Sequence, residues 1–222
     1  MSKQPMEFTG FAPETVDFLW GIRMNNNREW FLANKKQYTD TLYEPMKALG
    51  AKLFTPFLDK PGNLLKVSRI YRDARMHHPL PYKESLWICI RQDVQWWAEN
   101  PCLFFEINPE GMDYGFFFWK PRPEAMRRFR RELAADPTPF LTMLEKVEAG
   151  MPIPVTAQQY KHPEKWEDPR LERFFLWKNQ IGCILHEDFS ENSFGPALAD
   201  RVGETFDRLM PLYEYFNRYK TE

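Results

Sequence analysis

Apolar residues along this chain follow a helical spacing at both ends and a strand-like alternation in the middle, and the change of period marks where the elements lie. Pro13 followed by Glu14 suits a helix start, and Val16, Leu19 and Trp20 with Arg23 opposite make a short amphipathic segment ending in Asn25-Asn26-Asn27. Asn26 with Glu29 three residues on matches a capping box. A second helix is therefore expected, with Trp30, Phe31, Tyr38, Leu42, Met46, Leu49 and Leu53 on its apolar face and Pro45 kinking or restarting it.

From Leu64 the pattern alternates. Leu65 and Val67 share one parity and Ile70 and Ala74 the other, which predicts a bulge or sharp twist near Ser68. A second strand is expected from Leu86 to Arg91. The aromatic-rich runs Cys102 to Asn108 and Tyr114 to Lys120 flank Asn-Pro-Glu-Gly, a turn with Pro second and Gly fourth, and so predict a hairpin.

Helical spacing returns at Pro123, with Met126, Phe129 and Leu133 inward and Asp136-Pro137 as the stop. A further helix is expected from about Pro139 to Ala149, closed by Gly150. Met151 to Pro169, rich in proline and polar residues, reads as an irregular connector. Leu171 to Trp177 reads as helical, and a last helix runs from about Pro196 to Tyr219, interrupted by Pro211. The whole predicts an α+β fold, a central, mainly antiparallel sheet flanked by N-terminal and C-terminal helices. Helices occupy residues about 13-58, the sheet about 64-120, and helices with the connector about 123-222.

The 222 residues suit a single domain, 1-222, and 43% hydrophobic with 27% charged residues is a globular composition. A net charge of -1 provides no field to draw the molecule onto nucleic acid or an anionic membrane. Cys89, Cys102 and Cys183 are far apart and odd in number, as expected of free thiols in a reducing compartment. No leader-like start and no long apolar run is visible, so a soluble cytoplasmic protein is expected. Aromatics reach 16%, first of all core filler.

No phosphate-cradling glycine motif, nucleophile elbow or zincin motif occurs. The densest polar constellation is Arg69-Ile70-Tyr71-Arg72-Asp73-Ala74-Arg75, followed by Pro81-Tyr82-Lys83. On a strand, Arg69, Tyr71, Asp73 and Arg75 share one face and Arg72 takes the other. Guanidinium forks bind phosphate or carboxylate bidentately, so Arg69, Arg72, Arg75 and Lys83, supported by Tyr71, Asp73 and Tyr82, are expected to form an anion site. The competing expectation is an internal ion network with carboxylates such as Glu29. Asp73 beside arginines is a poor general base, so no catalytic residue is assigned. His77-His78 face opposite ways on a strand, and His162 and His186 are distant, so neither a metal nor a cofactor is expected.

The asparagine block Asn25-Asn26-Asn27-Arg28-Glu29-Trp30-Phe31, then Asn34-Lys35, the Arg-x-x-Arg-Asp-x-Arg block, Pro81-Tyr82-Lys83 and Pro211-Leu212 occur together in this order. Over nearly the whole chain they resemble the bacterial and fungal family catalogued as domain of unknown function 2461. The resemblance implies a conserved protein without an activity to transfer. This chain departs from the family pattern at Met76, where Phe is usual, at His78-Pro79, where Asp-Lys is usual, and around Gly115, where more glycines are usual.

The expectation is a ligand-binding domain or enzyme that takes an anionic small molecule. One alternative is a module presenting Trp87, Trp96, Trp97 and Trp119 to a protein partner. The other is nucleic-acid contact through Arg127, Arg128, Arg130 and Arg131 on the helix after the hairpin.

Overall fold

Proline presets the backbone angle of a first helical turn at no cost in hydrogen bonds, and Pro13 opens helix α1, Pro13–Met24. The computed structural model describes residues 7–73, 80–161 and 168–220. The buried Thr15 hydroxyl accepts from the Ala12 N–H at 3.2 Å and donates to the Thr41 carbonyl at 2.6 Å, tying the start of α1 to the following helical segment. That segment comprises α2, Arg28–Ala33, the short α3, Lys35–Gln37, a π-helical turn Tyr38–Tyr43, and α4, Glu44–Phe54. The expected capping box is displaced by one residue: the Asn27 side chain caps α2 by accepting from Trp30 N–H at 2.9 Å, and Asn26 is used elsewhere. Pro45 sits in the first turn of α4, a restart and not a kink. A side chain at Gly21 would meet the Trp30 ring at 2.4 Å, so glycine lets α2 approach α1.

Among the described residues six strands form one antiparallel sheet in the order β1-β2-β3-β4-β6-β5. The strands are β1, Asn63–Val67, β2, Leu86–Gln92, β3, Cys102–Ile107, β4, Gly111–Phe118, β5, Thr156–Gln159, and β6, Trp177–Asp188. The hairpin β3–β4 is as expected. The Asn108 side chain completes its turn by accepting from the N–H groups of Glu110 and Gly111 at 2.8 and 3.0 Å.

Two expectations about strands need correction. The arginine block does not continue β1. Ser68 exchanges two hydrogen bonds with the Trp87 backbone, and beyond it, among the described residues, the pairing is reduced to an isolated antiparallel bridge, Tyr71 to Tyr82. The sheet also does not end near residue 120, because β5 lies within the supposed connector and the 12-residue β6 follows α7, Glu172–Phe175. β6 escapes a periodicity reading because its buried positions, Trp177 and Ile181 to Cys183, do not alternate. Gln180 interrupts it with a φ of 52°.

The remaining helices are α5, Pro123–Ala135, α6, Thr138–Ala149, and α8, Ala197–Asn217, which continues across Pro211 where an interruption was expected. No helix among the described residues is long and apolar enough to cross a membrane.

The chain groups into two compact units. One lies within Met1–Ile90, Phe104–Tyr114 and His186–Gly203, and the other within Arg91–Leu103, Gly115–Leu185 and Glu204–Glu222. In the first, Phe18, Phe31 and Tyr38 interlock, the Tyr82 ring stacks on Phe31 at 4.4 Å, and α4 packs on β1 where Gly50 faces Leu65 and Val67. In the second, Phe129 is ringed by Phe140, Trp177, Phe216 and Tyr219 at centroid distances of 5.1 to 6.2 Å. Offset and edge-on rings of this kind account for the aromatic surplus as core. Gly115, at a φ of 149°, stands where any Cβ would meet the Cys183 carbonyl oxygen at 2.1 Å, so this glycine cannot be exchanged.

Candidate functional site

The Tyr71–Tyr82 bridge positions the site. Arg72 N–H donates to the Pro81 carbonyl at 2.9 Å and Lys83 N–H to the Ile70 carbonyl at 2.7 Å. Residues on either side of a bridged pair point away from it, so Arg72 and Lys83 emerge on the same side. They face a cleft of about 750 Å³ lined by Arg23, Tyr71, Arg72, Asp73, Lys83, Glu84, Ser85, Glu106, Asn108 and Glu110, all in the first unit. The volume is that of a small-molecule site, although the lining is far more polar than is usual.

Of the expected ligand-binding residues, Tyr71, Arg72, Asp73 and Lys83 converge here. Arg69 is exposed and outside the cleft, because the chain is no longer a strand at that point. The Tyr82 ring is only 4% exposed and belongs to the core. Its backbone carbonyl serves instead, accepting from Arg72 Nε at 2.6 Å and from Asn26 Nδ2 at 3.0 Å. Arg75, like Met76, His77, His78, Pro79 and His162, lies outside the described residues. Periodicity missed Arg23, Ser85, Glu106, Asn108 and Glu110. The available signal was Glu106, a lone carboxylate in the otherwise apolar Cys-Leu-Phe-Phe-Glu-Ile run.

Most of the charge in the cleft is consumed internally. Arg23 donates from Nε to Glu84 at 2.7 Å and pairs through its other nitrogens with Glu110. Those carboxylates hold the Arg23 guanidinium above its usual pKa, Glu110 foremost, and the reciprocal bond holds Glu110 below the usual carboxylate range. Arg72 lies 3.7 Å from the other Glu84 oxygen.

Lys83 differs. Among the described residues its ammonium makes no ion pair and no side-chain hydrogen bond, lying 5.5 Å from the centroid of the Trp87 ring. Burial, then the neighbouring Arg72 charge, push its pKa down against a weaker pull from Glu106. Glu106 is the converse. Half-buried and without an ion pair among the described residues, it accepts from the Ser85 hydroxyl at 2.5 Å, and burial raises its pKa, with Asp113 adding to the rise and Ser85 and Lys83 opposing it.

Behind the cleft Asn108 Nδ2 donates to Asp113 at 3.1 Å. His186 lies with Nδ1 2.9 Å from Asp113 and Nε2 3.2 Å from Asp188, and these carboxylates, Asp113 first, raise its pKa. No cluster of His, Cys, Asp or Glu among the described residues is suited to hold a metal ion.

The second unit contains the features behind the other two expectations. On α5, Arg127 pairs with Glu124 and Arg128 with Glu132, while Arg130 donates to the carbonyls of Phe175 and Trp177 at 3.1 and 2.6 Å. Arg130 thus ties α5 to the chain around β6, while the pairs of Arg127 and Arg128 lie within the helix. A smaller cleft of about 350 Å³ lies among Arg122, Glu124, Arg128, Tyr219 and Lys220. Trp96, Trp97 and Trp119 are 51%, 45% and 39% exposed, and the last two approach to 6.0 Å. Trp87, in the first unit, is half-buried.

The model of a family described as a conserved hypothetical protein, DUF2461, matches residues 14–215. No curated protein matches the chain.

Proposed function

The chain belongs to the DUF2461 family, and from the charges left over in its cleft we propose that it is a ligand-binding protein or enzyme that takes a small molecule through a phosphate or carboxylate group. The observation that carries this reading is Lys83, a half-buried ammonium facing the cleft with no anionic partner among the described residues, beside the Arg72 guanidinium. A buried cation without a counter-ion is costly, and a ligand anion supplies one. Arg72, held by the Tyr82 carbonyl and only loosely by Glu84, has further donors to offer, and the 54% exposed Tyr71 stands at the same cleft. We place the protein in the cytoplasm as a soluble molecule, on its composition and its three free cysteines.

The experiment is a thermal-shift screen against inorganic phosphate, small carboxylates and phosphorylated metabolites, repeated on Lys83→Met and Arg72→Ala. A ligand at a hundred times its Kd stabilises by about 2.7 kcal/mol, which for a chain of this size raises Tm by several degrees. Stabilisation by one anion class that disappears in Lys83→Met supports the reading. An anion shift that survives in both variants refutes it.

The exposed Trp96, Trp97 and Trp119 favour a second reading, in which the second unit docks a protein partner. Red-shifted, acrylamide-quenchable emission that turns blue on adding a captured partner supports it. Emission lost equally to Trp→Phe changes at core and surface positions without any partner effect argues against it. The engaged arginines of α5 lend nucleic-acid contact no comparable support.

A further inference from the structure

Once the internal pairs of the cleft are set aside, two charged groups of opposite sign remain without an ion pair among the described residues, the Lys83 ammonium and the Glu106 carboxylate. They line one cleft and influence each other electrostatically, yet they do not form an ion pair. Arg23, Arg72, Glu84 and Glu110 neutralise one another, and Asp73 also has a partner. A purely anionic ligand would answer Lys83 and leave Glu106 facing added negative charge. A purely cationic ligand would have the opposite defect.

We propose that the ligand is a small zwitterion, its acidic group bound by Lys83 and Arg72 and its ammonium group by Glu106. This rests on the anion-site reading above and specifies the class of ligand. The Ser85 hydroxyl donates to one Glu106 oxygen, Oε1, so it orients the carboxylate and leaves the second oxygen to accept from the ligand. Both halves of the ligand thereby exchange water for a charge-assisted hydrogen bond in a half-buried setting, where such bonds are strongest. Linking the two charges in one molecule makes the second contact intramolecular, so a zwitterion binds far more tightly than either separate ion.

The test uses defined probes on the full chain: acetate, inorganic phosphate, ethylamine, and the series glycine, β-alanine and γ-aminobutyrate, which varies the charge separation. Calorimetric titration is expected to give at least one zwitterion an affinity tenfold or more above that of acetate, a difference of about 1.4 kcal/mol. Glu106→Gln should bring that zwitterion and acetate to the same level, with acetate and phosphate bound no more weakly than by the parent, and Lys83→Met should abolish all three. If acetate and phosphate bind through Lys83 but no zwitterion exceeds them, or if Glu106→Gln leaves the advantage intact, the zwitterion proposal is wrong and the anion site stands. If none of the probes binds at millimolar concentration, both are wrong. Circular dichroism of each variant separates lost binding from lost folding.

Discussion

Asn26 and Tyr82, 56 positions apart, are joined by a pair of hydrogen bonds: Asn26 Nδ2 donates to the Tyr82 carbonyl at 3.0 Å, and the Tyr82 N–H donates to Asn26 Oδ1 at the same distance. A carboxamide has one donor edge and one acceptor edge, so here it imitates the backbone of a neighbouring strand. The carbonyl it holds is the one that orients Arg72. Replacing Asn26 with Ala leaves both backbone groups of a buried residue without this partner and is expected to cost about 1–3 kcal/mol. Urea unfolding of Asn26→Ala against the parent measures this, and a change under 0.5 kcal/mol would mean that the pair is incidental.

The two cleft charges without an ion pair among the described residues also predict a gain of stability on removal. The folded-state pKa of Glu106 lies above its ordinary 4.5, so the fold retains this proton more tightly than the unfolded chain does. The stabilising term is fully present below 4.5 and is lost as pH rises through the raised value. Glu106→Gln, which is never ionised, should therefore melt at a higher temperature than the parent at pH 7, and the two should converge below about pH 4. For Lys83 the folded pKa is lowered, so its charged form costs stability below that value and Lys83→Met should also raise Tm at pH 7. Lower melting temperatures for both variants at neutral pH would show that these charges stabilise the fold and are not reserved for a ligand.

The pKa of the exposed His186 is shifted in the opposite direction from that of a buried, unpaired imidazole. Its pKa is raised from 6.5 by Asp113 first and Asp188 second, so its contribution to stability is complete below 6.5 and fades as pH rises through the higher folded value. Proton NMR of the imidazole should give a midpoint above 6.5, returning toward it in Asp113→Asn. A midpoint at or below 6.5 in the parent would contradict the two ion pairs.

Phe129, buried at the centre of the aromatic cluster of the second unit, has no polar duty and four ring neighbours. Truncation leaves a cavity that large rings cannot close, so Phe129→Ala should cost about 3–5 kcal/mol, against about 1 kcal/mol or less for exposed Arg127→Ala. Chemical denaturation of the pair compares them directly, and similar losses would be inconsistent with the packing described.

Elements with a clean local signature were legible in the sequence. The β3–β4 hairpin was announced by Asn-Pro-Glu-Gly, α5 by Pro123 and the inward spacing of Met126, Phe129 and Leu133, and the fold class by the succession of periods. β6 was not, since its buried residues are consecutive and its positive-φ residue is a glutamine, where turn chemistry would lead one to look for glycine. The candidate site was half legible. Arg72 and Lys83 were visible as a concentration of charge, but the chain pairs Tyr71 with Tyr82 by an isolated bridge, alternation across a long strand misplaced Arg69 and set Arg72 apart from Tyr71 and Asp73, and the Tyr82 ring is core. Arg23 and Glu106 belong to a helix and a strand far away in sequence. Their arrival at the cleft is a tertiary fact that no local pattern encodes.

The oxygen shared by Asn26 and Arg72 belongs to the main chain, and this divides the mutational freedom of the three positions unequally. Every amino acid brings a carbonyl and all but proline bring the N–H that Asn26 accepts, so position 82 is constrained otherwise by the ring that packs on Phe31 and Tyr71 and tolerates aromatic exchange. Positions 26 and 72 act through side-chain donors aimed at a point their neighbour cannot move, and a library of variants at the three sites would find diversity at one and near-invariance at the other two.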